Sequence, residues 1–344
     1  MSKNNSLEST LTRAWLRRGP LAWALWPLSL LFRALAALRA ALFRAGVLKS
    51  GRLPVPVIVV GNIFIGGTGK TPLTIWLAEA LLRAGLRPGV ISRGHGSEGE
   101  TARPVTPDSD ARAVGDEPLL IARRAQVPVF VGRKRVEAGR ALLAAHPEVD
   151  VLITDDGLQH YALARDVEVI LFDGRGVGNG WLLPAGPLRE PPARRRDFTV
   201  VNAPELTPQL ARAVGGQPFR MHLAGDMAER LGDPGERAPL ASFAGRRILA
   251  AAGIGNPGRF FAMLRDAGLR FAELPLPDHY DFREDPFATT DADVILITEK
   301  DAVKCGQLEN LKHDPRLWVV PVTARIDAAL AEQIVEKCRG CSTA

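Results

Sequence analysis

A chain of 344 residues has room for two domains of ordinary size, and 46% hydrophobic with 24% charged residues is the composition of a folded globular protein, not a disordered one. An aromatic content of 6% gives little support to a base-stacking nucleic-acid surface. The net charge of +6 is gathered at the N-terminus, where residues 1–50 hold eight Lys or Arg against Glu8 alone, so the basic balance reports an arm and not a basic body.

The most apolar stretch, Leu21–Leu48, is broken by Pro27, Arg33, Arg39 and Arg44, and so lacks the ~20 clean apolar residues of a spanning helix. It is not a cleavable signal peptide, because Arg recurs inside it. On a helical wheel Ser29, Arg33, Ala37, Ala40 and Arg44 share a narrow face opposite Leu28, Leu31, Leu35, Leu38 and Leu42. That pattern suits a helix lying in a lipid interface with its cations on anionic headgroups.

From Val55 the texture changes. Val55–Val60 is an apolar β-branched run, and Pro72–Ala84 follows with helical spacing. Pro88–Ser92, Val127–Val131, Val149–Thr154 and Val167–Phe172 are further strands, with helices such as Glu117–Ala125 and Arg135–Ala145 between them. Such alternation predicts an α/β domain with a mainly parallel sheet. Gly174–Arg196, rich in Gly, Pro and Arg, reads as an ordered functional loop. Beyond it Phe198–Val201, Arg247–Ala252, Val294–Thr298 and Leu317–Val320 predict a second α/β domain. The expected division is an arm over 1–50, a nucleotide-binding domain over 51–185 and a second domain over 186–344, whose last segment could return to the first. Cys305, Cys338 and Cys341 make no disulfide framework, which points to a reducing compartment, and Cys338-x-x-Cys341 has no second pair to complete a zinc site.

The strongest chemical signal is Ile65-Gly66-Gly67-Thr68-Gly69-Lys70-Thr71, between a predicted strand and helix. Its glycines let successive N–H groups turn towards one anion; Lys70 would reach the β/γ-phosphates and Thr71 would ligate Mg²⁺. Phe64 stands where this P-loop pattern usually has Gly. The strand Val151–Asp156 ends in Asp155 and Asp156, hard oxygen ligands at the carboxyl edge of a parallel sheet and the natural second half of a Mg²⁺–nucleotide site, with Gln159 and His160 one turn on. Asp116 and Glu117 open a helix, where capping explains them as well as function does, and His279 is ambiguous alone.

Two patterns compete. Gly253-Ile254-Gly255-Asn256-Pro257-Gly258 has dinucleotide-binding spacing with Glu273 near the expected acid, although Pro257 removes an N–H. Thr298-Glu299-Lys300-Asp301 is like the guanine-reading turn of GTPases without its Asn, so ATP is favoured. A NAD(P) oxidoreductase and a P-loop switch ATPase or GTPase of the metal-chaperone or partitioning kind are therefore the rival classes. The latter often carries Lys where this chain has Ile65.

Taken with Ser92-Arg93-Gly94-His95-Gly96, Gly115-Asp116-Glu117-Pro118, Thr154-Asp155-Asp156-Gly157-Leu158-Gln159-His160, Leu183–Glu190, Pro277-Asp278-His279-Tyr280 and Thr298–Asp301, the loop closely resembles that of the tetraacyldisaccharide 4′-kinases, in order from about residue 20 to about residue 325. His95 departs from the Tyr expected there. The resemblance implies two α/β domains on a two-stranded linker with the active site between them. It implies transfer of the ATP γ-phosphoryl group to the 4′-hydroxyl of a tetraacylated glucosamine disaccharide 1-phosphate at the cytoplasmic face of the inner membrane, with no protein partner. It makes Asp116 the general base with His279 orienting it, and places Mg²⁺ near Thr71, Asp155, Asp156 and Glu117. Arg93, Arg133, Arg189, Glu190 and His160 are the residues expected to face the phosphorylated lipid, since forked guanidiniums suit phosphate.

Overall fold

The glycine loop is fixed by the strand before it. In a computed structural model of the chain, which describes residues 14–94 and 101–341, that strand (β1, Val57–Gly61) is buried at every position and pairs in parallel on both sides. A continuous apolar run without alternation requires such cover on both faces. The neighbouring strands are β2 (Pro88–Ser92), β3 (Arg103–Val105), β4 (Val129–Val131), β5 (Val151–Asp155), β6 (Val167–Asp173), β7 (Phe198–Asn202) and β8 (Phe219–Ala224). A second group is β9 (Met227–Arg230), β10 (Arg237–Pro239), β11 (Ile248–Ala252), β12 (Ala272–Pro275), β13 (Val294–Thr298) and β14 (Leu317–Val320), after which comes β15 (Thr323–Ile326).

These strands build two sheets. The larger runs β15-β8-β7-β6-β1-β5-β2-β4-β3, parallel except at its two edges, and the smaller runs β10-β9-β14-β13-β11-β12 with a parallel centre. The α/β class expected from the sequence is the class observed. Phe198–Asn202 and Phe219–Ala224, read as part of the second unit, hydrogen-bond into the larger sheet instead, and β15 closes its edge. An apolar run states that a strand is buried, not which sheet buries it. The chain crosses between the sheets at Gly225–Asp226 and again at Pro321–Val322, side by side: a Cβ on Gly225 would sit 2.6 Å from the Pro321 carbonyl.

The helices used below are α1 (Pro20–Arg44), α2 (Lys70–Arg83), α3 (Asp116–Ala125), α4 (Arg135–Ala145), α5 (Pro257–Asp266), α6 (Glu299–Cys305) and α7 (Ala329–Gly340). Ile58 and Val60 face a core with Leu73, Leu77 and Leu81 of α2 and Leu330 and Ile334 of α7. Val57 and Val59 face the opposite core with Leu142 of α4 and Phe172. The period-2 alternation of β1 thus serves both layers.

The first helix behaves differently. Ser29, placed on the polar face from sequence, is buried and its Oγ donates to the Leu182 carbonyl at 2.8 Å, while Trp23 packs edge-on against Trp181 at 4.8 Å. Leu28, Leu31, Leu35 and Leu38 stay 55–58% exposed, a bare leucine face. Among the described residues α1 is the one helix long and apolar enough to cross a membrane by length and composition. Arm residues 1–13, and His95 and Gly96 of the Ser92–Gly96 motif, lie outside the described residues.

Candidate active site

The glycine loop joins β1 to α2. Gly69 takes φ +100°, a conformation that L side chains rarely adopt, and a Cβ there would meet Asn202 Nδ2 at 2.5 Å. The loop is braced from three directions. Asn62 Nδ2 donates to the carbonyls of Phe64 (2.7 Å) and Gly66 (3.2 Å), Ile65 N–H donates to Pro187 O (2.9 Å), and Asn202 Nδ2 donates to Thr68 O (2.9 Å). Phe64 is buried in the core beneath the loop, with the Arg175 guanidinium 4.2 Å over its ring. The unusual Phe is thus a platform, and the loop turns without a Gly there.

Lys70 follows as the first residue of α2; its Nζ donates to Asn62 Oδ1 at 3.2 Å and lies 3.7 Å from Asp156. Asp156, at φ +50° just past β5, also accepts from Arg189 at 3.4 Å. Asp155 ends β5 fully buried and accepts from Thr74 of α2 at 3.4 Å. Burial first, and then the charge of Glu117, hold its carboxyl above the ordinary carboxylate range.

The residues fit a divalent cation. Asp155 Oδ2 and Asp156 Oδ1 are buried with no hydrogen-bond partner, side by side at the end of β5. Mg²⁺ commonly takes one or two carboxylates and completes its shell with phosphate and water, a need that the Asp155–Asp156 pair beside the glycine loop can meet. Thr71 is buried at the start of α2.

Facing this group, the smaller sheet supplies His279, in the loop after β12. Its Nδ1 lies 3.0 Å from Asp116 Oδ2 at the start of α3, so residues 163 apart in sequence meet across the two sheets. Lys300 Nζ lies 3.2 Å from His279 Nε2 and 3.1 Å from Glu117, and Lys304 Nζ lies 3.1 Å from Asp116. A neutral ring with its proton on Nδ1 satisfies both His279 contacts, donating to Asp116 and accepting from Lys300. Burial alone would raise the Asp116 carboxyl; the His279 hydrogen bond and the two lysines outweigh it and hold the group well below its ordinary value. The same hydrogen bond raises His279 against burial and Lys300. Asp116 therefore adds stability above the unfolded value of about 3.9 that is lost as pH falls towards its folded value, whereas the His279 contribution is complete below about 6.5 and fades as pH climbs through its raised value.

The remaining expected residues separate into two groups. His160 is half-buried, and burial together with Arg135, Arg165, Arg39 and Arg93 pushes its imidazole down to about 4. Arg93, one of those charges, is exposed, and so is Arg133 just past β4. Glu190 instead is buried and held by Gln159 (3.0 Å), Tyr161 (3.1 Å) and Arg194, a network that braces the Leu183–Glu190 segment.

Sequence reasoning passed over Arg135, Asn202, Asp173, Arg259 and Lys304, and treated Lys300 only as part of a base-reading turn. Asp301 of that turn is buried, accepting from Thr298 Oγ1 (2.6 Å) and Gly253 N–H (3.1 Å), so it pins the Gly253–Gly258 turn. That turn in turn covers the phosphate loop: a Cβ on Gly255 would come within 2.7 Å of Gly67 N. Gly255 serves close approach to the loop, Gly253 packs on Asp301 and Pro277, and Glu273 lies within β12 paired to Arg265, so the dinucleotide reading fails.

A P-loop on a parallel sheet, faced by a carboxylate and its histidine, defines an α/β ATP-dependent phosphotransferase. Comparison with known proteins narrows the class. The family model for LpxK, tetraacyldisaccharide-1-P 4'-kinase, matches residues 21–339. The chain is 62% identical to the tetraacyldisaccharide 4'-kinase of Herminiimonas arsenicoxydans and 62% identical to that of Janthinobacterium sp. (strain Marseille), covering 99% of each chain in both cases. A crystal structure of LpxK from Aquifex aeolicus in complex with ATP superposes with a TM-score of 0.75 at 29% identity, over 92% of this chain and 99% of that one. The chain belongs to the tetraacyldisaccharide 4'-kinase family.

Proposed function

We propose that this chain transfers the γ-phosphoryl group of ATP to the 4′-hydroxyl of tetraacyldisaccharide 1-phosphate in lipid A biosynthesis, with Asp116 as general base. The observation that carries the assignment of the base is the 3.0 Å contact between His279 and Asp116 opposite the glycine loop. A sugar hydroxyl is a weak nucleophile, and an ionised carboxylate within hydrogen-bond reach takes its proton as the O–P bond forms. His279 and the lysines keep Asp116 ionised and so able to accept a proton; the same contacts weaken it as a base, so its contribution rests on position more than on basicity. Lys70 and the loop N–H groups hold the phosphates, and the rest of the barrier is met by positioning. Thr71, Asp155, Asp156 and Glu117 would hold Mg²⁺, which when bound supplies charge neutralisation on the phosphates. Asp155→Asn is then expected to raise the Mg²⁺ concentration at half-maximal rate by about tenfold or more; an unchanged Mg²⁺ titration would remove Asp155 from the ion's shell.

Arg93, Arg189 and His160 face the acceptor's polar head in this reading, with Glu190 acting from behind through Arg194 and Tyr161. The bare leucine face of α1 keeps the enzyme in the headgroup region at the cytoplasmic face of the inner membrane, where the acyl chains are. Each buried leucine contributes about 1.5–3 kcal/mol, so Leu31→Asp with Leu35→Asp should abolish most sedimentation with anionic vesicles while leaving the fold intact. Equal sedimentation of variant and parent would refute the interfacial helix. The assignment itself is tested with γ-labelled ATP and the disaccharide 1-phosphate lipid: label should appear in the lipid. Label found only in free phosphate would favour a switch ATPase instead.

A further inference from the structure

The smaller sheet is seated on the larger one around the phosphate loop from three sides, with Lys300 and Lys304 adding to the first. His279 meets Asp116 on one side, and Gly255 packs on Gly67 in the middle. On the third side Arg259, in the first turn of α5, donates from Nη1 to Thr68 O at 3.2 Å and lies 3.3 Å through Nη2 from Asp173 at the end of β6. Asp173 is 1% exposed and carries a second cation, Arg175, in a fork of 2.7–3.1 Å. Arg175 stacks on Phe64, and its Nη1 lies 3.9 Å from where a Gly66 Cβ would stand. A connected line, Phe64–Arg175–Asp173–Arg259, therefore runs from the core under the loop to the other sheet.

Two features distinguish this line from an ordinary ion pair. The Thr68 carbonyl already accepts from Asn202, so Arg259 is not needed to satisfy it. One buried carboxylate also holds two guanidiniums in fixed places on either side of the loop, a use that suits the planar fork of arginine and not lysine. We propose that Asp173 and Arg259 are positioning residues for phosphoryl transfer: Asp173 aims Arg259 at the phosphate loop, and Arg259 fixes the Gly253–Gly258 turn, and with it His279, in register with Asp116. The proposal rests on the kinase reading above. Neither residue need touch the nucleotide. Their loss lets the turn pivot about its remaining contacts, and misplacement of about 1 Å at a reacting centre costs up to roughly 100-fold in rate.

The test is steady-state transfer of label from γ-labelled ATP to the disaccharide 1-phosphate lipid by Arg259→Gln, Asp173→Asn, the double variant and Arg259→Lys. Arg259→Gln and Asp173→Asn should each lower kcat by roughly 10- to 100-fold with the KM for ATP within about twofold. The double variant should be no slower than the slower single one, because both changes break the same link. Arg259→Lys should recover part of the rate, since it can reach one partner but not both. Multiplying losses in the double variant, or a raised KM for ATP with kcat intact, would overturn the proposal. If Asp173→Asn does not fold, Arg259→Gln against Arg259→Lys decides: equal kcat in both and in the parent overturns it. Failure of the parent itself to label lipid would count against the kinase reading and not against this link.

Discussion

Asp116→Asn is expected to lower kcat by roughly 10²–10⁴-fold, the usual contribution of a positioned general base, with ATP affinity within about twofold of the parent. The amide keeps the shape and its oxygen still accepts from His279, so the contact between the sheets survives; the proton acceptor is lost, together with the charge facing Lys304 and the bond from Glu117 N–H. Stopped assays for turnover and calorimetry for ATP separate the two quantities. The pH profile provides a second reading. Because His279, Lys300 and Lys304 hold Asp116 below its ordinary value, the parent should show no acid limb from this carboxylate between about pH 5 and 8. Near-normal turnover of the amide variant would remove Asp116 as base.

Lys70→Met should lower kcat by roughly 10²–10³-fold, the scale for removing one preorganised donor from developing phosphoryl charge. It should weaken ATP binding too, since a charge-assisted hydrogen bond contributes about 1.5–3 kcal/mol. In the structure Asn62 keeps both Nδ2 bonds to the loop and Asp156 keeps Arg189 without Lys70, so the fold should tolerate Met, at the cost of one buried Asn62 oxygen left without its donor. Equal kcat and equal ATP affinity in the variant would mean that the loop is not the phosphate grip.

The parallel centre of each sheet was legible in the sequence because it is written in short apolar segments set off by turn residues: Pro88–Ser92 and Val294–Thr298 begin and end where expected. Short edge strands such as Arg103–Val105 and Thr323–Ile326 were not, for one face of each is wet and three or four residues carry no period. At the site, local motifs were legible, and one partnership was, through the family resemblance: Asp116 alone reads as a helix start, but the resemblance paired it with His279, and the two lie 3.0 Å apart. The lysines around that pair, Lys300 and Lys304, were not foreseen, because no spacing along the chain ties them to Asp116 and Glu117. Gly253–Gly258 shows the converse. Its spacing is that of a dinucleotide turn, yet its central Gly255 answers to the backbone of the phosphate loop, information no window of one strand and one helix contains.

Phe64 has a kinetic consequence. A phosphate loop rooted in the core by an aromatic ring, with its carbonyls already engaged by Asn62 and Asn202, stands formed before any nucleotide arrives. Ordering each backbone residue costs about 1–2 kcal/mol, and here that cost is met in folding and not in binding. Nucleotide association should therefore be a single fast phase, proportional to concentration, and differences in affinity among nucleotides should reside in how quickly they leave.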